Sequence, residues 1–89
     1  MATPLKLTGA AKHEAKGQIR RELVSAHTHE RLALIEAPFK GFRAQHIIRA
    51  FEEAGHGPFD LCGCRVELDS SDCEGEPGHI RFFLRVLST

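Results

Sequence analysis

The chain has 89 residues, of which 42% are hydrophobic and 27% charged, with twelve basic and twelve acidic side chains. This composition predicts one globular domain over residues 1–89 and excludes a wholly disordered chain. The longest uninterrupted apolar run is residues 32–35, far shorter than the roughly 20 residues of a membrane helix, and the N-terminus lacks a signal-peptide pattern. With an odd number of cysteines, these features predict a cytoplasmic protein that does not bind membranes.

The two parts of the chain carry opposite charge. Residues 1–50 contain nine Lys/Arg and four Asp/Glu, a net charge of +5. Residues 51–89 contain three Lys/Arg and eight Asp/Glu, a net charge of −5. Either the two parts pair with each other in the fold, or they form a polarised surface that orients a charged partner.

Residues 8–28 are predicted to form the first helix. Their apolar residues recur at steps of three and four, which places a narrow stripe along one helix face. These residues are Ala11, Ala15, Ile19, Leu23 and Ala26. Thr8 is the expected N-cap, and residues 1–7 are expected to form a loose lead-in.

Residues 30–36 allow two interpretations. Four apolar residues flanked by charges fit a short buried strand, and they also fit the last turns of a long first helix. Pro38 ends either element, because it disfavours helical geometry at Ala37. We favour the strand.

Residues 41–54 are predicted to form the second helix, with Gly55 and Pro58 as termination signals. Its broad apolar face comprises Phe42, Ile47, Ile48, Phe51 and Ala54. The charged residues near its ends are Lys40 and Arg43 at the start and Glu52 and Glu53 at the end. This arrangement opposes the helix dipole, and each misplaced charge costs a few tenths of a kcal/mol.

The remainder predicts a β-hairpin, because apolar and polar residues alternate with period two in residues 61–68 and 79–87. The ten residues 69–78 form an acidic loop, longer than most hairpin loops. The expected fold class is therefore α+β: two helices packed on a small, mainly antiparallel sheet with a C-terminal β-hairpin. A helical hairpin leaning on a two-stranded ribbon is the alternative if residues 30–36 are helical.

Cysteines and histidines in the second half of the chain raise the question of a metal. Three thiolates and an imidazole form a legitimate zinc set. The candidates are Cys62, Cys64, Cys73, His56 and His79. The spacing lacks C-x-x-C knuckles, and Cys62 and Cys64 occupy alternate positions typical of core-facing strand residues. We therefore expect no metal and no other cofactor, with a small zinc-binding protein as an alternative.

Catalytic signatures are absent from the sequence. His27 and His29 form an H-x-H pair, but no third ligand or nucleophile is close to them in sequence. The phosphate-binding loop, dinucleotide-binding, nucleophile-elbow and H-E-x-x-H motifs are all missing. We therefore expect a protein without enzymatic activity.

Three groups of residues are candidates for binding a partner: a basic ridge on the first helix, cations beside Phe39 where the second helix begins, and the acidic loop. The predicted binding residues are Lys12, Lys16, Arg20, Arg21, Phe39, Lys40, Arg43, Asp69, Asp72, Glu74 and Glu76. Each group also has a structural explanation, as a solvated helix face, a hydrophobic staple or a solvated loop.

The expected function is a small module that binds another protein and modulates or inhibits it. Small proteins of mobile elements that inhibit a host defence complex would fit this profile. Binding of nucleic acid through the basic ridge is the alternative, and it predicts an affinity that falls steeply with salt. An exposed sheet edge would also permit a homodimer.

Overall fold

The computed structural model describes residues 3–73 and 78–89, with side chains described from residue 15 onward. Two helices and four strands follow one another along this part of the chain. They are α1 (Thr3–Thr28), β1 (Ala33–Ala37), α2 (Ala44–Glu53), β2 (Phe59–Leu61), β3 (Cys64–Asp72) and β4 (Ile80–Ser88). The strands form one antiparallel sheet, which confirms the predicted α+β fold with its C-terminal hairpin.

The sheet has the strand order β1-β4-β3-β2, so the first strand pairs with the last one. β1 pairs with β4 in a register that places Ala33 opposite Leu84 and Ile35 opposite Phe82. The strand interpretation of residues 30–36 is therefore confirmed, although the strand spans Ala33–Ala37, and the helical hairpin is wrong. Ala33, Ile35 and Ala37 are buried at alternate positions. This pattern fits a strand, because successive side chains of a strand point to opposite faces of the sheet.

Both helices pack on the same face of the sheet. α1 buries Ala15, Ile19, Leu23 and Ala26 against β1, β3 and β4, as its predicted stripe requires. α2 buries Ile47 and lies against β2, where the rings of Phe51 and Phe59 meet edge-on with centroids 6.3 Å apart. The buried side chains form one cluster between the helices and the sheet. The described residues of the two helices do not cover the opposite face of the sheet.

α1 begins earlier than its sequence signals suggested. The helix starts at Thr3, so Thr8 lies inside it and is not the N-cap, and residues 3–7 are helical. The overlooked signal is Pro4. Proline is favoured in the first turn of a helix, where its missing N–H has no helical partner to lose.

α2 is shorter than predicted, because the chain makes a tight turn before the helix starts. Lys40 and Gly41 both have positive φ, 47° and 84°, and the backbones of Phe39 and Phe42 bond to each other across them. Phe42 is buried, but it belongs to this turn. The predicted apolar face is also narrower than expected, because Ile48 is 40% exposed.

The end of α2 confirms its predicted termination signal. Gly55 has φ +67°, and its N–H donates to the carbonyl of Glu52 at 3.0 Å. The N–H of His56 donates to the carbonyl of Phe51 at 3.0 Å, which completes a Schellman motif. The predicted conflict between the end charges and the helix dipole is also observed. This fully described helix has no acidic residue in its first turn and no basic residue in its last turn.

The hairpin region differs from its prediction at both ends. Cys62 and Gly63 form a two-residue turn between β2 and β3, with φ of 49° and 81°, so Cys62 does not share a strand face with Cys64. At the other end β3 continues to Asp72, with a bulge between Leu68 and Ser70. The acidic loop is therefore shorter than residues 69–78, because Asp69 and Asp72 belong to the strand.

Candidate partner-binding surfaces

The basic ridge of α1 combines exposed cations with one that has a structural role. Lys16, Arg20 and Arg21 are exposed, and the side chain of Lys12 lies outside the described part of the chain. The Arg20 guanidinium donates to the carbonyl of Cys62 at 3.0 Å and to Sγ of Cys64 at 3.5 Å. Arg20 therefore holds the β2–β3 turn against α1.

The turn before α2 brings a second set of cations to the surface. Phe39 is half-buried, and the Nζ atom of Lys40 lies 5.6 Å from the centre of its ring. Arg43 is exposed, and its backbone N–H donates to Nδ1 of His46 at 3.0 Å. This bond satisfies one of the free N–H groups at the helix start, which Arg43 as N-cap cannot do with its own side chain.

A cavity of about 350 Å³ lies between α1 and the start of α2. Its lining includes Lys16, Phe42, His46 and Cys62. Burial raises the pKa of the Cys62 thiol, and the positive charge of Lys16 opposes this shift only in part. The arrangement favours the neutral thiol, which is a poor nucleophile.

The three cysteines do not converge on one point. All are free thiols, with Cys64 buried in the core and Cys73 exposed. β3 separates these two residues by nine positions, which corresponds to about 30 Å of strand. Within the described residues no group of three His, Cys, Asp or Glu side chains is placed to hold a metal.

The H-x-H pair lies at the end of α1, not in a strand. His27 lines an open cleft of about 870 Å³, together with Glu30, Arg31 and Arg85. His29 points elsewhere, because its Nδ1 donates to the carbonyl of Ser25 at 2.8 Å. Both arginines of the cleft are engaged by carboxylates, Arg31 by Glu22 at 2.7 Å and Arg85 by Asp69 at 3.6 Å.

Two of the four acidic residues predicted to bind a partner form ion pairs with arginines of β4. Asp72 accepts two bonds from Arg81, at 2.8 and 2.9 Å, and Asp69 lies 3.6 Å from Arg85. Glu74 and Glu76 lie outside the described residues. The acidic group is therefore, in its described part, one side of a set of ion pairs on the strands.

These ion pairs surround an apolar pair on the uncovered side of the sheet. We call this side the outer sheet face, and it comprises Leu34, Glu36, Arg65, Glu67, Ser70, Asp72, Arg81, Phe83 and Arg85. Leu34 and Phe83 are directly opposite each other on β1 and β4. Leu34 is 39% exposed, and Phe83 is half-buried with the Arg81 guanidinium 5.8 Å from its ring centre.

Sequence reasoning did not identify this apolar pair. The available signal was Phe83 itself, because it interrupts the polar side of an otherwise regular alternation in β4. Leu34 gave no separate signal, since it lay within a continuous apolar run. Leu34 and Phe83 are 49 positions apart in the sequence, so their proximity depends on the pairing of β1 with β4.

The ion pairs that we identify between described residues each lie within one of the two oppositely charged parts of the chain. Glu22–Arg31 joins two residues of the first part, and Asp60–Arg65, Asp69–Arg85 and Asp72–Arg81 join residues of the second. Each ion pair between described residues that we identify is thus internal to one part. Lys16, Arg21 and Arg43 remain exposed on the helix side.

Comparison of the chain with protein-family models, with curated proteins and with solved structures gives no match. None of the described helices is long and apolar enough to cross a membrane.

Proposed function

We propose that this chain is a non-enzymatic module that binds another protein and modulates or inhibits it. The observation that supports this function is the outer sheet face, where Leu34 and Phe83 form an apolar centre bordered by arginines. Protein interfaces commonly combine an apolar centre with a polar rim, and aromatic and arginine side chains are enriched among the residues that contribute most to affinity.

The charge of this face favours a protein over a nucleic acid. Its arginines have carboxylates as partners: Arg81 is paired with Asp72, Arg85 with Asp69, and Arg65 with Asp60 at 3.3 Å. A phosphate backbone would have to compete with each of these carboxylates. A protein surface with mixed charge can offer carboxylates to the arginines and cations to their acidic partners, which a phosphate backbone cannot.

The predicted basic residues belong to the proposal as a second contact region. Lys16, Arg21 and Arg43 are exposed, and none of them forms an ion pair with a described carboxylate. Such cations raise the rate of association with an acidic partner more than they raise the affinity. We place the protein in the reducing cytoplasm as part of the same proposal, since its three cysteines are free thiols.

Nucleic-acid binding is the second candidate, and the same exposed cations support it. It predicts an affinity that falls as a power of the salt concentration, in proportion to the phosphates neutralised. Arg20 is unsuitable for testing this candidate by charge reversal, because reversal would also remove its bonds to the β2–β3 turn. The informative variant is the double substitution Lys16→Glu with Arg21→Glu.

A pull-down with the tagged protein, with and without nuclease and read by mass spectrometry, separates the two candidates. We expect a protein recovered in stoichiometric amount from lysate of the encoding organism or its host, with recovery independent of nuclease. Recovery that disappears after nuclease treatment would assign the basic residues to nucleic acid. A titration of Lys16→Glu/Arg21→Glu against salt then measures the electrostatic part of either interaction.

A further inference from the structure

We propose that the free edge of β1 binds an extended peptide with basic side chains, which adds to the sheet as a fifth strand. This inference rests on the proposed function, because it names the kind of protein segment that the module recognises. β1 is an edge strand whose one neighbour is β4, so its other side is open to strand addition.

The direction of the backbone groups on β1 follows from one hydrogen bond. The N–H of Leu34 donates to Oε2 of Glu22 on α1 at 3.0 Å, so it points away from β4. In an antiparallel pair, groups two residues apart point to the same side. The carbonyl of Leu34 and the N–H and carbonyl of Glu36 therefore also lie along the free edge. The Glu22 carboxylate already occupies the Leu34 N–H of this edge.

A groove of about 280 Å³ runs beside the same edge, between α1 and β1. Its apolar lining includes Ile19 of α1, Ile35 of β1 and the half-buried ring of Phe39. A groove between an edge strand and a helix is the arrangement in which peptide-binding modules add a strand. The edge supplies hydrogen bonds to the peptide backbone, and the groove receives alternate side chains.

The exposed carboxylate of Glu36 favours a basic side chain at the facing position of an added strand. Glu36 is exposed and forms no ion pair with a described residue, whereas Glu22 is neutralised by Arg31 and Arg81 by Asp72. Glu36 is therefore a carboxylate at the edge without an ion pair to a described residue, while the Lys40 ammonium lies over Phe39, which lines the groove. A Lys or Arg side chain of an added strand, facing the same side as Glu36, would pair with it.

The same charge argues against a second copy of this chain. Antiparallel pairing of β1 with another β1 about Ile35 would place the two Glu36 carboxylates on one face, two residues apart in register. It would also bring the two Glu22 carboxylates to one seam. Like charges so placed oppose each other.

The test is a ¹⁵N NMR titration of the full chain with an acetylated and amidated peptide of alternating Lys and Val. The matched probe is a peptide of the same length with Glu in place of Lys. We expect saturable shifts at the amides of residues 34–37 and of Ile19, and slower hydrogen exchange at the Glu36 N–H. Glu36→Lys should weaken the affinity at least about fivefold, since one exposed ion pair is replaced by a repulsion. Glu53→Lys, the same change at an exposed acid of α2, should leave the affinity unchanged.

Three results would overturn the edge site: equal affinity for the Glu peptide, shifts confined to other residues, or an unchanged exchange rate at Glu36. Shifts at residues 34–37 that grow with protein concentration, without peptide, would show self-pairing and would also contradict it. The proposed function fails separately, through the pull-down. If the pull-down recovers a partner protein but the chain binds neither peptide, the edge site is wrong and the proposed function stands.

Discussion

Arg20 has the sequence position of a partner-binding cation, yet in the structure it bonds to its own chain. Its spacing from Lys16 on α1 predicts a basic ridge, and both side chains are exposed. The guanidinium nevertheless donates to Cys62 and Cys64, 42 and 44 residues away. Sequence spacing along one helix cannot reveal such a bond, because it depends on where the β2–β3 turn packs. A surface charge can therefore be exposed and structural at once.

The contact of Arg20 can be tested with two glycines in matching turns. Gly63 and Gly41 have similar positive φ, 81° and 84°, each after a residue that also has positive φ. An added Cβ at Gly63 would lie 2.8 Å from an Arg20 nitrogen, whereas one at Gly41 would meet nothing within 4 Å. Gly41→Ala should cost about 1 kcal/mol of unfolding free energy through backbone strain. Gly63→Ala should cost about 1 kcal/mol more, because Arg20 is displaced from its bonds.

Chemical denaturation of both variants measures this difference. Equal losses of unfolding free energy would mean that the Arg20 contact contributes nothing to stability. A double variant that adds Arg20→Ala provides the control, because the difference between the two glycine substitutions should then vanish.

Glu22 links α1 to the edge of β1, and its ionisation should affect stability at acid pH. Bonding to Arg31 holds the pKa of this carboxyl below its ordinary value of 4.5. A group whose folded-state pKa is lowered contributes stability above its unfolded pKa, and that contribution is lost as the pH falls through the folded-state pKa. The unfolding free energy should therefore fall below about pH 4.5 in part because Glu22 is protonated.

Glu22→Gln tests this contribution. At pH 7 the variant should be less stable by about 1 kcal/mol, a value reduced for partial exposure. The difference from wild type should shrink as the pH falls below 4.5, since wild type then loses the same interaction. Glu36→Gln, an exposed edge glutamate without an ion pair to a described residue, is the control and should show no such convergence. A constant difference down to pH 3 would contradict the role of Glu22.

At the scale of elements, periodicity predicted most helices and strands, and turns determined where they end. The alternation in β4 and the three-four steps in α1 identified both elements because each period matches one geometry. The turns at Lys40-Gly41 and Cys62-Gly63 were missed, since neither has the Asn-Gly or Asp-Gly sequence typical of such turns. Both predicted elements beside them, α2 and β3, therefore had the wrong start.

The polar end of β3 was missed for a different reason. Asp69, Ser70, Ser71 and Asp72 have low strand propensity and look like a loop in isolation. In the fold they continue the strand, because Phe82 and Arg81 of β4 lie opposite Ser71 and Asp72. The bonds from Arg81 to Asp72 then fix the last pair. Tertiary pairing here outweighs local preference.

α2 carries a stability cost that a substitution can remove. Glu53 is the last residue of the helix and lies at the negative end of its dipole. Glu53→Lys should therefore raise the unfolding free energy by about 0.5 kcal/mol, measured by chemical denaturation at low salt. The gain should decrease in high salt, which screens exposed charges. A loss of stability would mean that Glu53 makes a favourable contact outside the helix.

At the scale of the whole molecule, the core was predictable and the proposed binding surface was not. Core residues of α1, β1 and β4 follow from their periods, whichever elements they contact. The outer sheet face requires the strand order β1-β4-β3-β2, which no local pattern contains. The charge asymmetry was visible in the sequence, but only the structure shows that four ion pairs between described residues each join residues of the same part. Surfaces built from distant segments are therefore the last feature that a sequence reveals.

The most direct test of the proposed function compares three forms of the tagged protein in one nuclease-treated pull-down. They are wild type, Phe83→Ser on the outer sheet face, and Ile48→Ser at the 40% exposed position of α2. Circular dichroism first establishes that all three are folded. We predict that Phe83→Ser reduces recovery of the partner protein at least tenfold, a loss of about 1.4 kcal/mol, while Ile48→Ser leaves it unchanged. Equal recovery by wild type and Phe83→Ser would contradict the assignment of the outer sheet face as the binding surface.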